Sequence, residues 1–329
     1  MNNLTQPTRR RTVLRALTAG AAAAALPTVH AQGDRPVSLV VSYPAGGGAD
    51  LMARLIAPHL ATALGRSVVV ENKPGASGQI AANAVAKAAP DGNTLLLDAS
   101  SFAVNPSLFA KLPYDSEKDF TPLGIVALFP NMLVCTPSYE ARTVKDVVRL
   151  AKASPARIAY ASSGNGSAQH LAGALFEDRA GVQLVHVPYR GGGPALTDVM
   201  GGQVPLFFAN VASSLGHIQS GRLRPLGATS RRRARALAEV PTMEEAGVPG
   251  YEVLEWNPVL APAGLAPALK TRLRDALRKA SAEPEVLGRI RSLSGEAFPD
   301  GPEGLVTAFL KAQQSQWARI IRERKITAG

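Results

Sequence analysis

Three loops in this 329-residue chain carry residue types suited to holding an anion. The first, Tyr43-Pro44-Ala45-Gly46-Gly47-Gly48-Ala49-Asp50, follows an apolar run and leads into a helical pattern. Consecutive glycines let the backbone approach a ligand closely, and a helix start offers unpaired N–H groups and the positive end of the helix dipole. The second, Ser162-Ser163-Gly164-Asn165-Gly166-Ser167, adds hydroxyl donors to backbone donors, and the third, Tyr189-Arg190-Gly191-Gly192-Gly193-Pro194, again joins a strand pattern to a helix pattern. No Gly-Lys-Ser/Thr follows the first loop and no G-x-G-x-x-G spacing occurs there, so the expected anion is a carboxylate rather than a nucleotide phosphate. On the first loop alone, a plain tight turn with Asp50 as a helix-start carboxylate stays open as a reading.

Other reactive side chains are weighed against these loops. His170 falls about one turn into the helix after the serine loop, where it could bond a ligand or brace the loop, and bracing is the stronger reading. A hydrolase would need Ser163 or Ser167 as nucleophile, His170 as base and an acid such as Asp198. The loop does not fit G-x-S-x-G, and nucleophile and base so close in sequence align poorly, so no catalytic residue is expected. His59, His186 and His217 share no metal-ligand spacing, so neither metal nor cofactor is implied. The basic run Arg231-Arg232-Arg233 with Arg235 has no interleaved aromatics and reads as a solvated face, not a nucleic-acid surface. The single cysteine, Cys135, excludes an internal disulfide.

The elements that must position these loops alternate in βαβ fashion. Strands are expected at Val37–Ser42, Val68–Val70 and Thr94–Leu97, with helices at Ala49–Leu64, ended by Gly65, and Gln79–Ala88. Pro58 should kink or end the first helix. The pattern restarts with a helix at Val144–Ala153, a strand at Arg157–Ala161 and a helix at Ala168–Arg179. Strands at Gln183–Val187 and Val204–Phe208 flank a helix at Pro194–Met200. Helices at Pro267–Ser281, Pro284–Ser294 and Pro302–Ile326 close the chain. Two extended apolar stretches, Asn131–Thr136 and Val253–Leu260, lie between the two α/β units; as crossing strands they would make a hinged clamp.

The N-terminus has its own pattern. Arg9, Arg10, Arg11 and Arg15 precede an apolar stretch from Ala16 to Leu26 and a small-residue site ending at Ala31, which reads as an export signal cleaved after Ala31. Arg10-Arg11-Thr12-Val13-Leu14-Arg15 resembles a twin-arginine signal, with a general secretory signal as the alternative, since Arg9 stands where Ser or Thr is usual. Four arginines and no acid leave with that segment, lowering the formal charge from +11 to +7. No cysteine follows the cleavage site to take a lipid, so a freely diffusing, monomeric periplasmic protein is expected.

The segments Val40–Asp50, Val70-Glu71-Asn72-Lys73-Pro74-Gly75-Ala76, Asp91–Leu96, Tyr160–Gly164, Val187–Leu196, Leu237–Thr242 with Glu245-Ala246-Gly247, and Leu260–Gly264 occur in the order found in Bug-type solute-binding proteins of tripartite tricarboxylate transporters, and the chain resembles that family along its whole mature length. The resemblance implies an α/β, two-lobed periplasmic binding protein of Venus-flytrap, type II-like form, each lobe a mainly parallel sheet flanked by helices. It implies lobe I at 32–132 plus 256–329 and lobe II at 133–255, with a small carboxylate held between them by amides, hydroxyls and waters. The candidate ligand contacts are Tyr43, Ala45, Gly46, Gly47, Gly48, Ala49, Asp50, Ser77, Ser100, Ser162, Ser163, Gly164, Gly166, Ser167, His170 and Tyr189. The implied partners are the transporter's membrane subunits or, in a signalling alternative, a sensor kinase. Family members commonly carry Gly-Thr-Pro where this chain has Gly264-Leu265-Ala266-Pro267, and glycines where it has Ser77 and Pro258; the last two bear on specificity or on the hinge.

Overall fold

The computed structural model describes residues 35–302 and 304–327, so the expected export signal lies outside the described residues. The chain folds as strands and helices in alternation. β1 (Val37–Val41), β2 (Val68–Asn72) and β3 (Thr94–Leu97) form a parallel set, and β5 (Ala159–Ser162), β6 (Val185–Pro188) and β7 (Leu206–Asn210) form another. Two long strands join them: β4 (Phe120–Cys135) and β9 (Leu254–Pro262) run antiparallel, giving the order β2-β1-β3-β9-β4-β7-β5-β6. Short strands β8 (Arg224–Ala228) and β10 (Glu296–Ala297) also pair with β4. The first part of β4, through Pro130, pairs with β9, and the part from Asn131 pairs with β7 and β8.

Helices α1 (Gly48–Leu64), α2 (Gln79–Ala86) and α3 (Ser101–Leu108) belong to the first set. α4 (Val144–Ala153), α5 (Ala168–Ala180), α6 (Gly192–Met200) and α7 (Val211–Gln219) belong to the second. α8 (Pro267–Ala282), α9 (Pro284–Ser292) and α10 (Gly304–Arg324) close the chain. Because a parallel strand hands its carboxyl end to the following helix, the loops after β1, β3, β5, β6 and β7 all open toward the crossing of β4 and β9.

α1 shows why local rules are overridden. Met52, Ala53, Ile56, Ala57, Leu60 and Leu64 recur at helical spacing and are buried. Contrary to the expected kink or stop, the helix runs unbroken past Pro58 to Leu64, with Gly65 as a left-handed C-cap. Pro58 is exposed, so the carbonyl of Arg54 that it leaves without an amide faces water, and the apolar stripe decides the outcome. α3 and α7 have no counterpart in the sequence expectations. α3 is buried at Ser101, Phe102, Ala103, Val104 and Asn105, and so carries no one-sided period to read.

α10 contributes to two of the core clusters. Val306 and Leu310 join the cluster of Phe102, Trp256 and Leu260, whereas Trp317 and Ile321 join the cluster of Val147, Tyr160 and Phe208. No helix among the described residues is long and apolar enough to cross a membrane.

The packing of α5 on β5 can be probed at Gly173. A Cβ there would lie 2.1 Å from Cε2 and 2.3 Å from Cζ of Tyr160, a side chain 1 % exposed. Gly173→Ala gains up to about 1 kcal/mol in helix propensity but overpacks this contact at a cost of about 1–3 kcal/mol. We expect a lower unfolding midpoint in urea, and a raised midpoint would show that the ring has room to move aside.

Candidate functional site

At the sheet's crossing, Tyr43, Gly47, Gly48 and Ala49 meet Ser163, Gln169, Gly192, Phe207, Asn210 and Ser213 around a cavity of about 20 Å³, which Ala99 and Glu255 also line. That is room for about one water molecule. A mouth of about 210 Å³ adjoins it, lined by Ser42, Tyr43, Pro44, the turn Pro74–Gly78, Ser163–Asn165 and Pro188–Arg190. The loops after β1 and β6 touch there: a Cβ on Gly191 would sit 2.3 Å from Pro44 Cγ. A larger groove of about 570 Å³ lies along α8, but its Arg278 is already paired with Asp275 and Asp300.

The helix starts around the cavity differ in one respect. α5 begins at Ser167, whose Oγ accepts the His170 N–H at 3.2 Å, and α7 begins at Asn210, whose Oδ1 accepts the Ala212 N–H at 2.8 Å. α1 and α6 begin at Gly47 and Gly191, with no side-chain cap. Their first-turn N–H groups have no partner inside the helix, and Gly48, Ala49 and Gly192 line the cavity. Asn210 Nδ2, on a side chain 5 % exposed, also has no partner, and a Cβ on Gly48 would come within 2.9 Å of it. Uncapped backbone donors and the unpartnered Asn210 Nδ2 therefore meet around the cavity, and no Lys, Arg or His lines it among the described residues.

The sequence-derived contacts separate into three groups. Tyr43, Gly47, Gly48, Ala49 and Ser163 line the cavity. Ser77, Gly164 and Tyr189 line the mouth, where the Tyr189 hydroxyl donates to Asp198 Oδ2 at 2.7 Å, while Ala45 and Gly46 are exposed on the loop's outer side. The remainder, apart from Ser100, are consumed internally. Asp50 accepts from Gly46 N–H at 3.0 Å, from Arg54 Nε and from Asn72 Nδ2. Burial works against its ionisation, but Arg54, the Gly46 amide and Asn72 together hold it below the usual carboxylate range. Ser162 Oγ lies 2.6 Å from His186 Nε2, Gly166 N–H donates to His170 Nδ1 at 3.0 Å, and Ser167 Oγ donates to the Gly164 carbonyl at 2.7 Å. His170 and His186 stack with ring centroids 3.9 Å apart, and burial lowers them to about 4 and about 3, so both are neutral braces near neutral pH. With His170 Nδ1 bound to an amide and Asp198 bound to Tyr189, the nucleophile–base–acid alignment considered above is not assembled. Ser100 is buried beneath the cavity, with its Oγ lacking a partner.

Sequence reasoning missed Ala99, Gln169, Phe207, Asn210, Ser213 and Glu255, and held Gly192 only as part of the third glycine loop. The available signal was Glu255 itself, a charge inside the apolar run Val253-Leu254-Glu255-Trp256. Its Oε2 accepts from Gln169 Nε2 at 2.9 Å, and Gln169 also donates to Asn131 Oδ1 at 3.1 Å. Behind it, Asp98 is fully buried; it accepts from Ser42 Oγ and, at 2.7 Å, from the Ala99 N–H, while Oδ2 has no partner. Burial pushes both carboxyls up to about 7, against the pull of their hydrogen bonds.

A raised native pKa means that the folded chain keeps a proton the unfolded chain releases, so stability falls as pH rises from about 4 to about 7. For one proton the slope approaches about 1.4 kcal/mol per pH unit. Asp98→Asn keeps an acceptor for Ser42 and Ala99 and removes this term. The variant should gain stability relative to the parent between pH 5 and pH 8 in urea unfolding, and a constant difference would mean that Asp98 is ionised throughout.

Comparison with known proteins gives this geometry a family. Residues 52–326 match the tripartite tricarboxylate transporter family receptor. A protein encoded between tcbD and tcbE of Pseudomonas sp. (strain P51) is 37% identical over 296 residues, covering 90% of this chain and 88% of that one. BugT of Bordetella pertussis is 36% identical, covering 88% of this chain and 89% of that one. Among solved structures, periplasmic binding protein BugD superposes with a TM-score of 0.85 at 33% identity, covering 89% of this chain and 98% of that one. A Rhodopseudomonas palustris protein solved with adipate gives 0.85 at 34%, again with 89% and 98% coverage. MatC from the same species, with bound malate, gives 0.82 at 28%, covering 87% and 99%. With its α/β fold, its crossing strands and a cavity between two sets of helix starts, the chain belongs to the tripartite tricarboxylate transporter receptor family, the periplasmic solute-binding proteins of Bug type.

Proposed function

We propose that this protein is an exported receptor that captures a small carboxylate between two lobes, 32–132 with 256–329 and 133–255, and delivers it to the membrane subunits of a tripartite tricarboxylate transporter. The observation that carries this reading is the meeting of the uncapped starts of α1 and α6 with the unpartnered Asn210 Nδ2 around one cavity. Backbone and amide N–H groups complement a carboxylate without an ion pair, because they are fixed by the fold before the ligand arrives. The relatives solved with adipate and malate support the ligand class. Export through the segment 1–31 is part of the same proposal, and no step of it requires bond making or breaking.

Asn210→Asp tests the site with little disturbance of the fold, since an aspartate oxygen can still cap α7. It replaces an unpartnered donor with an anion beside the bound carboxylate. Losing one charged hydrogen bond costs about 1.5–3 kcal/mol, or roughly ten- to a hundredfold in affinity, and the added repulsion pushes the loss to the upper end or beyond. Ser163→Ala should lose less. With the tightest-binding carboxylate from a native mass spectrometry panel, calorimetry should rank the parent above Ser163→Ala and Ser163→Ala above Asn210→Asp; full affinity in Asn210→Asp would exclude this cavity as the carboxylate site.

A second measurement addresses the lobes. A ligand gripped from both sides favours the closed population, so saturation with that carboxylate should reduce the radius of gyration in small-angle scattering. Identical profiles with and without it would indicate a rigid cleft.

A further inference from the structure

Two chemically opposed sets of groups line the cavity. The starts of α1 and α6 and Asn210 Nδ2 present donors. β9 presents the carboxylate of Glu255, 5 % exposed, with its Oε2 fixed by Gln169. Gln169 is itself positioned by Asn131 Oδ1, and the Asn131 backbone N–H is held at 2.8 Å by Thr229 Oγ1, so Glu255 is oriented by a network rather than left to turn away. Asp98 lies behind it with an unpartnered oxygen, and no basic side chain lines the cavity among the described residues.

A bare carboxylate entering such a cavity satisfies the donors and adds an anion beside two buried carboxyls, Asp98 and Glu255, whose ionisation burial already opposes. A hydroxyl on the ligand could donate to Glu255 but would not offset that charge. An ammonium does both, since it brings N–H donors to Glu255 and compensates the charge where water is excluded. We propose that Glu255 forms an ammonium subsite: once the Pro44 and Gly191 loops part to enlarge the one-water cavity, the preferred ligand is a zwitterionic amino carboxylate with its carboxylate at α1, α6 and Asn210 and its ammonium on Glu255. This deepens the carboxylate-receptor reading and rests on it.

Three ligand pairs differing only by the ammonium test the proposal by calorimetry at pH 7: aspartate and succinate, glutamate and glutarate, 5-aminovalerate and valerate. In at least one pair the ammonium member should bind at least about tenfold tighter, as expected for one charge-assisted hydrogen bond. Glu255→Gln, which matches the side chain in shape and keeps an acceptor for Gln169, should weaken that member by about ten- to a hundredfold and its partner by less than about threefold. A purely structural role for Glu255 would lower both members equally and overturn the subsite.

The unaltered protein gives a readout independent of how the variant folds. Titrations in phosphate and in Tris count protons. An ammonium beside a carboxyl poised at about 7, with Asp98 and Tyr43 as its titratable neighbours, drives that carboxyl to ionise and releases protons; an anion there takes protons up. Equal or tighter binding of the partners lacking ammonium, with proton uptake, overturns the subsite and leaves the carboxylate receptor standing. Failure of every member of all three pairs overturns the subsite, and failure of adipate and malate as well overturns the carboxylate reading with it.

Discussion

A carboxylate leaves water at a cost of several kcal/mol unless donors stand ready where it comes to rest, and donors can stand ready only if nothing nearer has taken them. That constraint orders the whole cleft. Most helix starts in proteins are closed by their own side chains, and the serine and asparagine starts of α5 and α7 follow that habit. The glycine starts of α1 and α6 cannot, because glycine has no side chain to offer. The glycines also keep the approach clear: a side chain at Gly48 would collide with Asn210, and one at Gly191 with Pro44. The two loops are thus both the donors and the clearance, and the parallel strand sets bring them to one crossing.

Asp50 shows how the first loop is kept rigid. Its carboxylate reaches back to the Gly46 amide and sideways to Arg54 and Asn72, whose Nδ2 also donates to the Tyr43 carbonyl at 2.9 Å. The acid nearest the glycines is therefore spent on holding the loop's shape. The second side uses imidazoles for the same purpose, with His170 and His186 stacked behind the serine loop. In both cases the side chain that looks most reactive in the sequence is buried in the scaffold, and the groups lining the cavity include backbone amides, the Ser163 hydroxyl, the Asn210 carboxamide and the Glu255 carboxylate.

That division explains what the sequence made legible. Glycine runs that pass from an apolar strand into a helix declare themselves, as at Gly46–Gly48 and Gly191–Gly193, and the apolar stretches at Asn131 and Val253 fall within or just before the long strands β4 and β9. The serine loop divides its hydroxyls for a physical reason. Ser and Asn side chains compete for neighbouring backbone groups, so Ser162 and Ser167 close their own turn and only Ser163 is left facing the cavity. Asn210, Gln169 and Glu255 lie far apart in sequence, and each looks ordinary alone: a helix cap, a polar helix residue, a charge in a strand. Their joint meaning exists only once β4, β7 and β9 are adjacent.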